Sequence, residues 1–341
     1  MTVEYKQQYW AAKVVGRLTS LVGCAVLVLG IVAFLVSCKS KEPATPISFE
    51  AIQTKQNVVL DKPQFIKASD GIDLAYYTKF PKSKPVAALI FLHGGGAWSG
   101  AGYQYIAKGL SEKYHTAVYL SDIRGHGNSG GSRGDAPSIK QVWNDLTLMI
   151  ETVRKDNPGI PLYLGGHSSG CGLILNYLTW DKKADVDGYF FVSPQFGYKS
   201  DTARTDSKIS FAKVRLWVFV LSEISGGRLF AHTTAVYLNY PESVLLADPL
   251  MIKAYTRNMA LAITPDHPQE QFGKIDKRFG LFIGANDDLF VPEKVIRYAD
   301  YAASSIQAKS VNRILENENH LSILLMADDL IGKTIMDWQK K

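Results

Sequence analysis

Leu162-Tyr163-Leu164-Gly165-Gly166-His167-Ser168-Ser169-Gly170-Cys171-Gly172 is the stretch on which the reading of this chain turns. An apolar run of strand length leads into a turn, and small residues then open a helix. Within it, Gly166-x-Ser168-x-Gly170 fits the nucleophile elbow, a sharp strand-to-helix turn that lifts a serine above the end of a sheet. Such a turn leaves the serine in a strained backbone conformation. A side chain two residues before or after it would strike the neighbouring strand or helix, so both positions want glycine. The amide of Ser169, at the N-terminus of the new helix, points where an oxyanion would form.

Working outward, the same alternation of strand and helix recurs on both sides. Gln64–Lys67 and Ile72–Thr78 flank the turn Ala68-Ser69-Asp70-Gly71 and read as a hairpin. Ala87–Leu92 is a continuous apolar run, expected of a strand buried on both faces. It runs into His93-Gly94-Gly95-Gly96, where glycines let a backbone amide approach a substrate oxygen. Tyr103–Tyr114 has helical spacing, and Ala117–Leu120 is another buried strand leading into Asp122-Ile123-Arg124-Gly125-His126-Gly127-Asn128-Ser129. Ser138 and Gln141 form a capping box that opens a helix with one apolar face, ended by Pro158-Gly159. Beyond the elbow come strands at Tyr189–Val192, Gly280–Ile283 and Val311–Leu315, a helix from about Pro292 to Ser304, and a last helix to about Trp338. This pattern specifies a doubly wound, mostly parallel sheet of the α/β class.

Between about 198 and 275 the alternation lapses, and the segment reads as a mainly helical cap inserted over the strand ends. Its run Leu216-Trp217-Val218-Phe219-Val220-Leu221 is too apolar for an ordinary exposed loop. Either it is a buried helix packing the cap, or it lines an acyl tunnel or dips into a lipid surface.

The N-terminus has its own character. Lys6, Lys13 and Arg17 precede a nearly uncharged apolar run from Leu18 to Val36, as in a secretory signal. Leu35-Val36-Ser37-Cys38 resembles the lipobox of bacterial lipoproteins, which implies acylation of Cys38. Leu21-Val22-Gly23-Cys24 matches too, but little apolar sequence precedes it. An uncleaved transmembrane anchor is the alternative, because about 19 apolar residues span a bilayer. Either way the remainder is expected outside the cytoplasm on a membrane surface. The chain then divides into 1–38, a lipoprotein signal peptide or membrane anchor; 39–57, a polar tether; 58–197 with 276–341, the α/β core; and 198–275, the cap. The net charge of +6 is partly carried by the first residues and is too small to imply nucleic acid. Of three cysteines, only Cys38 and Cys171 would survive processing, so no internal disulfide is expected. Cys171 reads as a small buried helix residue.

Ser168, Asp287 and His320 follow one another in the chain, each just past the carboxyl end of an expected strand, the edge where open α/β sheets collect their sites. A serine needs a base to take its proton, and the base needs a carboxylate to fix its tautomer. His320 and Asp287 are the candidates, although Asp288 adjoins the acid. The matching pieces are Leu92-His93-Gly94-Gly95, Asp122-x-Arg124-Gly125-His126-Gly127-x-Ser129, Gly166-His167-Ser168-x-Gly170, Gly284-x-x-Asp287 and the His320 loop. With them the chain resembles the α/β-hydrolases, specifically the monoglyceride lipase, lysophospholipase and serine aminopeptidase-like group, from about residue 60 to the C-terminus. The resemblance implies an α/β-hydrolase fold and an oxyanion hole built from the amides of Gly95 and Ser169. It also implies structural roles for His93, His126 and His167, and a loop-bracing role for Asp122 and Arg124. It points to a membrane-tethered serine hydrolase acting on lipid esters such as monoacylglycerol or lysophospholipid through an acyl-enzyme. No cofactor or metal is expected, and the sequence says nothing of oligomeric state. Serine at the elbow argues against dehalogenase or epoxide hydrolase chemistry, which uses aspartate there. Amide cleavage of the proline iminopeptidase type and a catalytically silent binding domain are the alternatives.

Overall fold

The computed structural model describes residues 45–55, 58–206 and 209–340. The readings placed on 1–38, Cys38 included, lie outside the described residues. Among the described residues no helix is long and apolar enough to cross a membrane.

In chain order the strands are β1 (Gln64–Lys67), β2 (Asp73–Lys79), β3 (Ala87–Leu92), β4 (Thr116–Ser121), β5 (Leu162–His167), β6 (Gly188–Val192), β7 (Ala212–Val214), β8 (Thr234–Leu238), β9 (Ala254–Thr256), β10 (Phe279–Gly284) and β11 (Val311–Leu315). Eight of them form one sheet in the order β1-β2-β4-β3-β5-β6-β10-β11. β2 runs antiparallel to β1 and to β4, and every other pairing is parallel. This is the mostly parallel, doubly wound sheet that the alternation of elements implied. β3 and β5 lie side by side at its centre, so the glycine loop after β3 and the elbow after β5 emerge next to each other.

The period-two rule for strands explains the two cores. Ala88, Ile90 and Leu92 of β3 face one side and Ala87, Leu89 and Phe91 the other, all essentially without solvent contact. The first side is covered by α3 (Ile139–Asp156) and α4 (Ser169–Leu178), the second by α2 (Gln104–Tyr114) and α11 (Ala327–Gln339). Only half of the expected capping box forms at α3. The Ser138 hydroxyl accepts from the Gln141 amide at 3.1 Å, but the Gln141 side chain turns to Ser69 and Asp145 instead of back to Ser138.

The other helices are short: α1 (Glu50–Gln53), α5 (Leu216–Ile224), α6 (Glu242–Ala247), α7 (Arg257–Ile263), α8 (Pro268–Gly273), α9 (Pro292–Ile296) and α10 (Ser304–Gln307). Where one helix was expected over Pro292–Ser304, α9 passes into a 3-10 turn at Arg297–Tyr301 and the chain breaks before α10. The inserted segment is helical through α5 to α8, as expected. It also holds a three-stranded antiparallel sheet, β7-β8-β9, whose three- to five-residue strands are too short for a periodicity to register. Its last part sits on the core helices: the Asn176 amide of α4 donates to the carbonyls of Leu261, Ala262 and Thr264, and the Trp143 indole of α3 donates to Ala262.

Candidate active site

The elbow has the geometry its glycines require. Ser168 sits at φ 52°, ψ −119°, a strained conformation for a residue with a side chain. A Cβ on Gly166 would lie 2.7 Å from the Gly170 backbone. One on Gly170 would lie 2.7 Å from the carbonyl oxygens of Leu92 and His93 in the neighbouring strand end. Cys171 is fully buried, its thiol donating to the Gly166 carbonyl, and burial pushes its pKa up and keeps it protonated.

Above the carboxyl ends of β5, β10 and β11, the three expected residues converge. His320 Nε2 lies 3.1 Å from Ser168 Oγ, and His320 Nδ1 lies 2.9 Å from Asp287 Oδ2. Asp287 is wholly buried, and its other oxygen accepts from the amides of Leu289 and Phe290 at 2.9 Å each. Burial opposes its charge, but His320 and these amides outweigh burial and hold the carboxyl below its ordinary pKa. The Phe290 ring meets His320 edge-on at 5.5 Å, walling the imidazole from solvent.

Gly95 and Ser169 are adjacent, since a Cβ on Gly95 would lie 2.8 Å from Ser169 Oγ. Among the described residues neither amide donates to another protein group, which leaves two N–H groups beside the serine. A chain of buried groups ties this loop to the histidine. The Gly94 amide donates to Tyr103 Oη at 2.7 Å, and Tyr103 donates to His167 Nδ1 at 2.9 Å. His167 Nε2–H donates to the His320 carbonyl at 2.9 Å. Each bond fixes the direction of the next, because the terminal carbonyl can only accept.

His93 bridges the Gly94 carbonyl and the Ile123 amide, and His126 donates to the Arg124 carbonyl. Burial lowers their pKa values to about 4 and about 3, and that of His167 to about 3, so all three stay neutral. The structural roles implied for them fit this geometry. Asp122 accepts from the amides of Ser99 and Asn128, and Arg124 is buried between the carboxylates of Asp70 and Asp145, so both brace the loop.

A cavity of about 230 Å³ opens on Ser168 and His320. Its walls are mostly apolar and come from the cap (Phe211, Val244, Met251), from the turns before α2, and from residues 47–53. The apolar run of α5 is not among them. Three tyrosines around the glycine loop bear no local sequence pattern that would single them out: Tyr103, Tyr240 and Tyr255. Tyr240 donates to the Gly95 carbonyl, and Tyr255 packs behind Gly95 and Ser169. Both of these come from the cap, so only folding brings them to the loop.

The sequence pattern of the family described as "Serine aminopeptidase, S33" matches residues 83–315. The chain belongs to that family. The monoglyceride lipase of Rattus norvegicus is 31% identical over 178 residues, 52% of this chain and 56% of the lipase. That of Homo sapiens is 29% identical over 195 residues, 57% of this chain and 61% of the lipase. The chain thus spans little more than half the length of these relatives. Among solved structures, a soluble variant of the Saccharomyces cerevisiae monoglyceride lipase in complex with a substrate analog superposes with a TM-score of 0.62 at 17% identity, covering 87% of this chain and 98% of that one. At that identity the likeness shows the α/β-hydrolase fold alone.

Proposed function

We propose that this member of the serine aminopeptidase family is a serine hydrolase that cleaves lipid esters, with monoacylglycerol or lysophospholipid as substrate class. The observation that carries the reading is the Ser168–His320–Asp287 chain of hydrogen bonds opening on a largely apolar cavity. The lipase relatives support the substrate class.

In this reading His320 Nε2 takes the proton of Ser168 as Oγ attacks the ester carbonyl. Asp287 holds Nδ1–H, so that Nε2 is the free base, and stabilises the imidazolium that forms. The carbonyl oxygen becomes an anion held by the amides of Gly95 and Ser169. His320 then returns the proton to the departing alcohol, leaving the acyl group on Ser168. Water, activated by the same histidine, attacks the acyl-enzyme and releases the fatty acid. The apolar cavity holds the acyl chain, each buried methylene contributing about 0.8 kcal/mol. We further place the enzyme on an extracytoplasmic membrane surface, tethered through Cys38 or an N-terminal span, where such lipids reside.

The test uses the full-length protein and Ser168→Ala. Wild type should hydrolyse monoacylglycerol, lysophospholipid and p-nitrophenyl esters well above aminoacyl anilides, and should react with a fluorophosphonate probe. The variant should remain folded, lose labelling and drop by about six orders of magnitude in turnover. Undiminished turnover in Ser168→Ala would overturn the mechanism, and preference for the anilides would move the substrate class to peptides.

A further inference from the structure

Residues 39–57 read as a slack polar tether, yet from Thr45 to Gln53 the chain lies against the mouth of the cavity. Ile47 is 5% exposed, although it sits far ahead of β1 and outside the residues matched by the family pattern. Ile47, Phe49 and Ile52 all line the cavity over Ser168. The segment is attached at three separate places around the rim. At the first, the amide of Ser48 faces the Asp288 carboxylate, which the backbone of His320 also faces. At the second, the Phe49 ring meets Tyr240 of the cap at 5.8 Å, and Tyr240 meets Phe211 edge-on at 5.1 Å. At the third, Ile52 closes over Gly102 in the turn before α2, where a Cβ would come within 3.3 Å of Ile52 Cδ1.

A segment that only carried a tether would have no reason to bury an isoleucine at the reaction cavity. Burying apolar side chains there stabilises the attachment and completes a wall that the core and cap leave open. Ile47, Phe49 and Ile52 make its cavity side mostly apolar, with Gln53 the one polar side chain of the strap in the lining, and the turn of α1 is secured by Thr54, whose hydroxyl donates to the Glu50 carbonyl at 2.9 Å.

We propose that Thr45–Gln53 is a strap that sets substrate specificity, with Phe49 and Ile52 covering the acyl chain of the lipid ester and limiting the chain length accepted. This rests on the ester-hydrolase reading above and adds to it the part of the chain that selects the acyl group. A side chain contributed from outside the hydrolase core also makes selectivity adjustable without touching the triad or the oxyanion loop.

The experiment measures kcat/KM of the full-length protein on p-nitrophenyl esters from acetate to palmitate, for wild type, Phe49→Ala, Ile52→Ala, Ile52→Leu and Ile52→Trp. The readout is the long-chain to short-chain ratio, with thermal melting to confirm the fold. The alanine variants should lower the ratio by about fourfold for each methylene that loses its cover. Ile52→Leu should restore it, and Ile52→Trp, which adds bulk to the wall, should move the optimum to shorter chains. If every folded variant kept the wild-type profile, the strap would be packing only and the proposal would fall. Failure of the alanine variants to fold leaves Ile52→Trp as the deciding case, since it adds side-chain volume to the wall instead of taking it away. A wild-type protein inactive on all esters would instead strike down the hydrolase reading, and the strap's role with it.

Discussion

Asp287 and Asp288 are neighbours in the chain, but their carboxylates serve different partners. Asp287 holds the His320 ring and is fixed by two amides, whereas Asp288 faces the backbone of Ser48 and His320 and leaves one buried oxygen unpaired. Asp287→Asn should therefore cost about 10⁴-fold in turnover, because an amide in its place favours the wrong imidazole tautomer. Asp288→Asn should cost far less in turnover on short esters. Steady-state kinetics of the two variants checks this, and a reversed order would assign the acid to Asp288. At this scale much of the site was legible before folding: the order of Ser168, Asp287 and His320, and the glycines at 166 and 170, follow from chemistry that admits few residue types. Tyr240, Tyr255 and Ile47 were not legible. Their partners at the site lie far away along the chain, as Gly95 does from Tyr240 and Tyr255, and nothing in an isolated tyrosine or isoleucine records that.

Helix α5 shows what periodicity can and cannot say about an element. Its sequence is apolar nearly all round, which suggests burial. Only Val218 and Ser222 are buried, while Leu216, Val220 and Ile224 are 71%, 55% and 78% exposed along one face and Trp217 is half-exposed against Phe230. Neither the buried-helix reading nor the tunnel reading fits, since the helix stays clear of the cavity. Contact with a lipid surface is the expectation that remains. Replacing Leu216, Val220 and Ile224 together by serine should barely change the melting temperature, because those side chains are already solvated. Turnover on monoacylglycerol presented in phosphatidylcholine vesicles should fall at least tenfold, since each removed side chain gives up about 1.5 kcal/mol or more of burial in lipid. Turnover on a dissolved short-chain ester should hold. Equal loss on both substrates would show that the helix serves the fold. The cap sheet escaped the sequence reading for a different reason: its strands are shorter than any reliable alternation, and tertiary pairing makes them.

For the whole molecule, the two-sided core was legible because a sheet buried on both faces demands unbroken apolar strands, and β3, β5 and β6 supply them. The buried histidines give that core a definite response to acid. His93, His126 and His167 have pKa values lowered by burial to about 4, 3 and 3, against 6.5 when exposed. Above pH 6.5 both folded and unfolded chains leave them neutral, and their contribution is fully present. Between pH 6.5 and about 4 the unfolded chain binds three protons that the folded one refuses, so stability is lost as pH falls. The slope from these three groups approaches ~4 kcal/mol per pH unit. Chemical denaturation at pH 7.5, 6, 5 and 4.5 checks this; a stability that stayed level down to pH 4.5 would mean that these imidazoles take up protons in place. His167 carries a second consequence, through the bonds that join Gly94, Tyr103 and the carbonyl of His320. The oxyanion loop and the general base are geared to each other, like two levers on one linkage. A substrate or mutation that pushes the loop aside also turns the base away from the serine. Charge stabilisation and proton transfer would then fail in step, and the energetic share of each could not be separated by altering the loop alone.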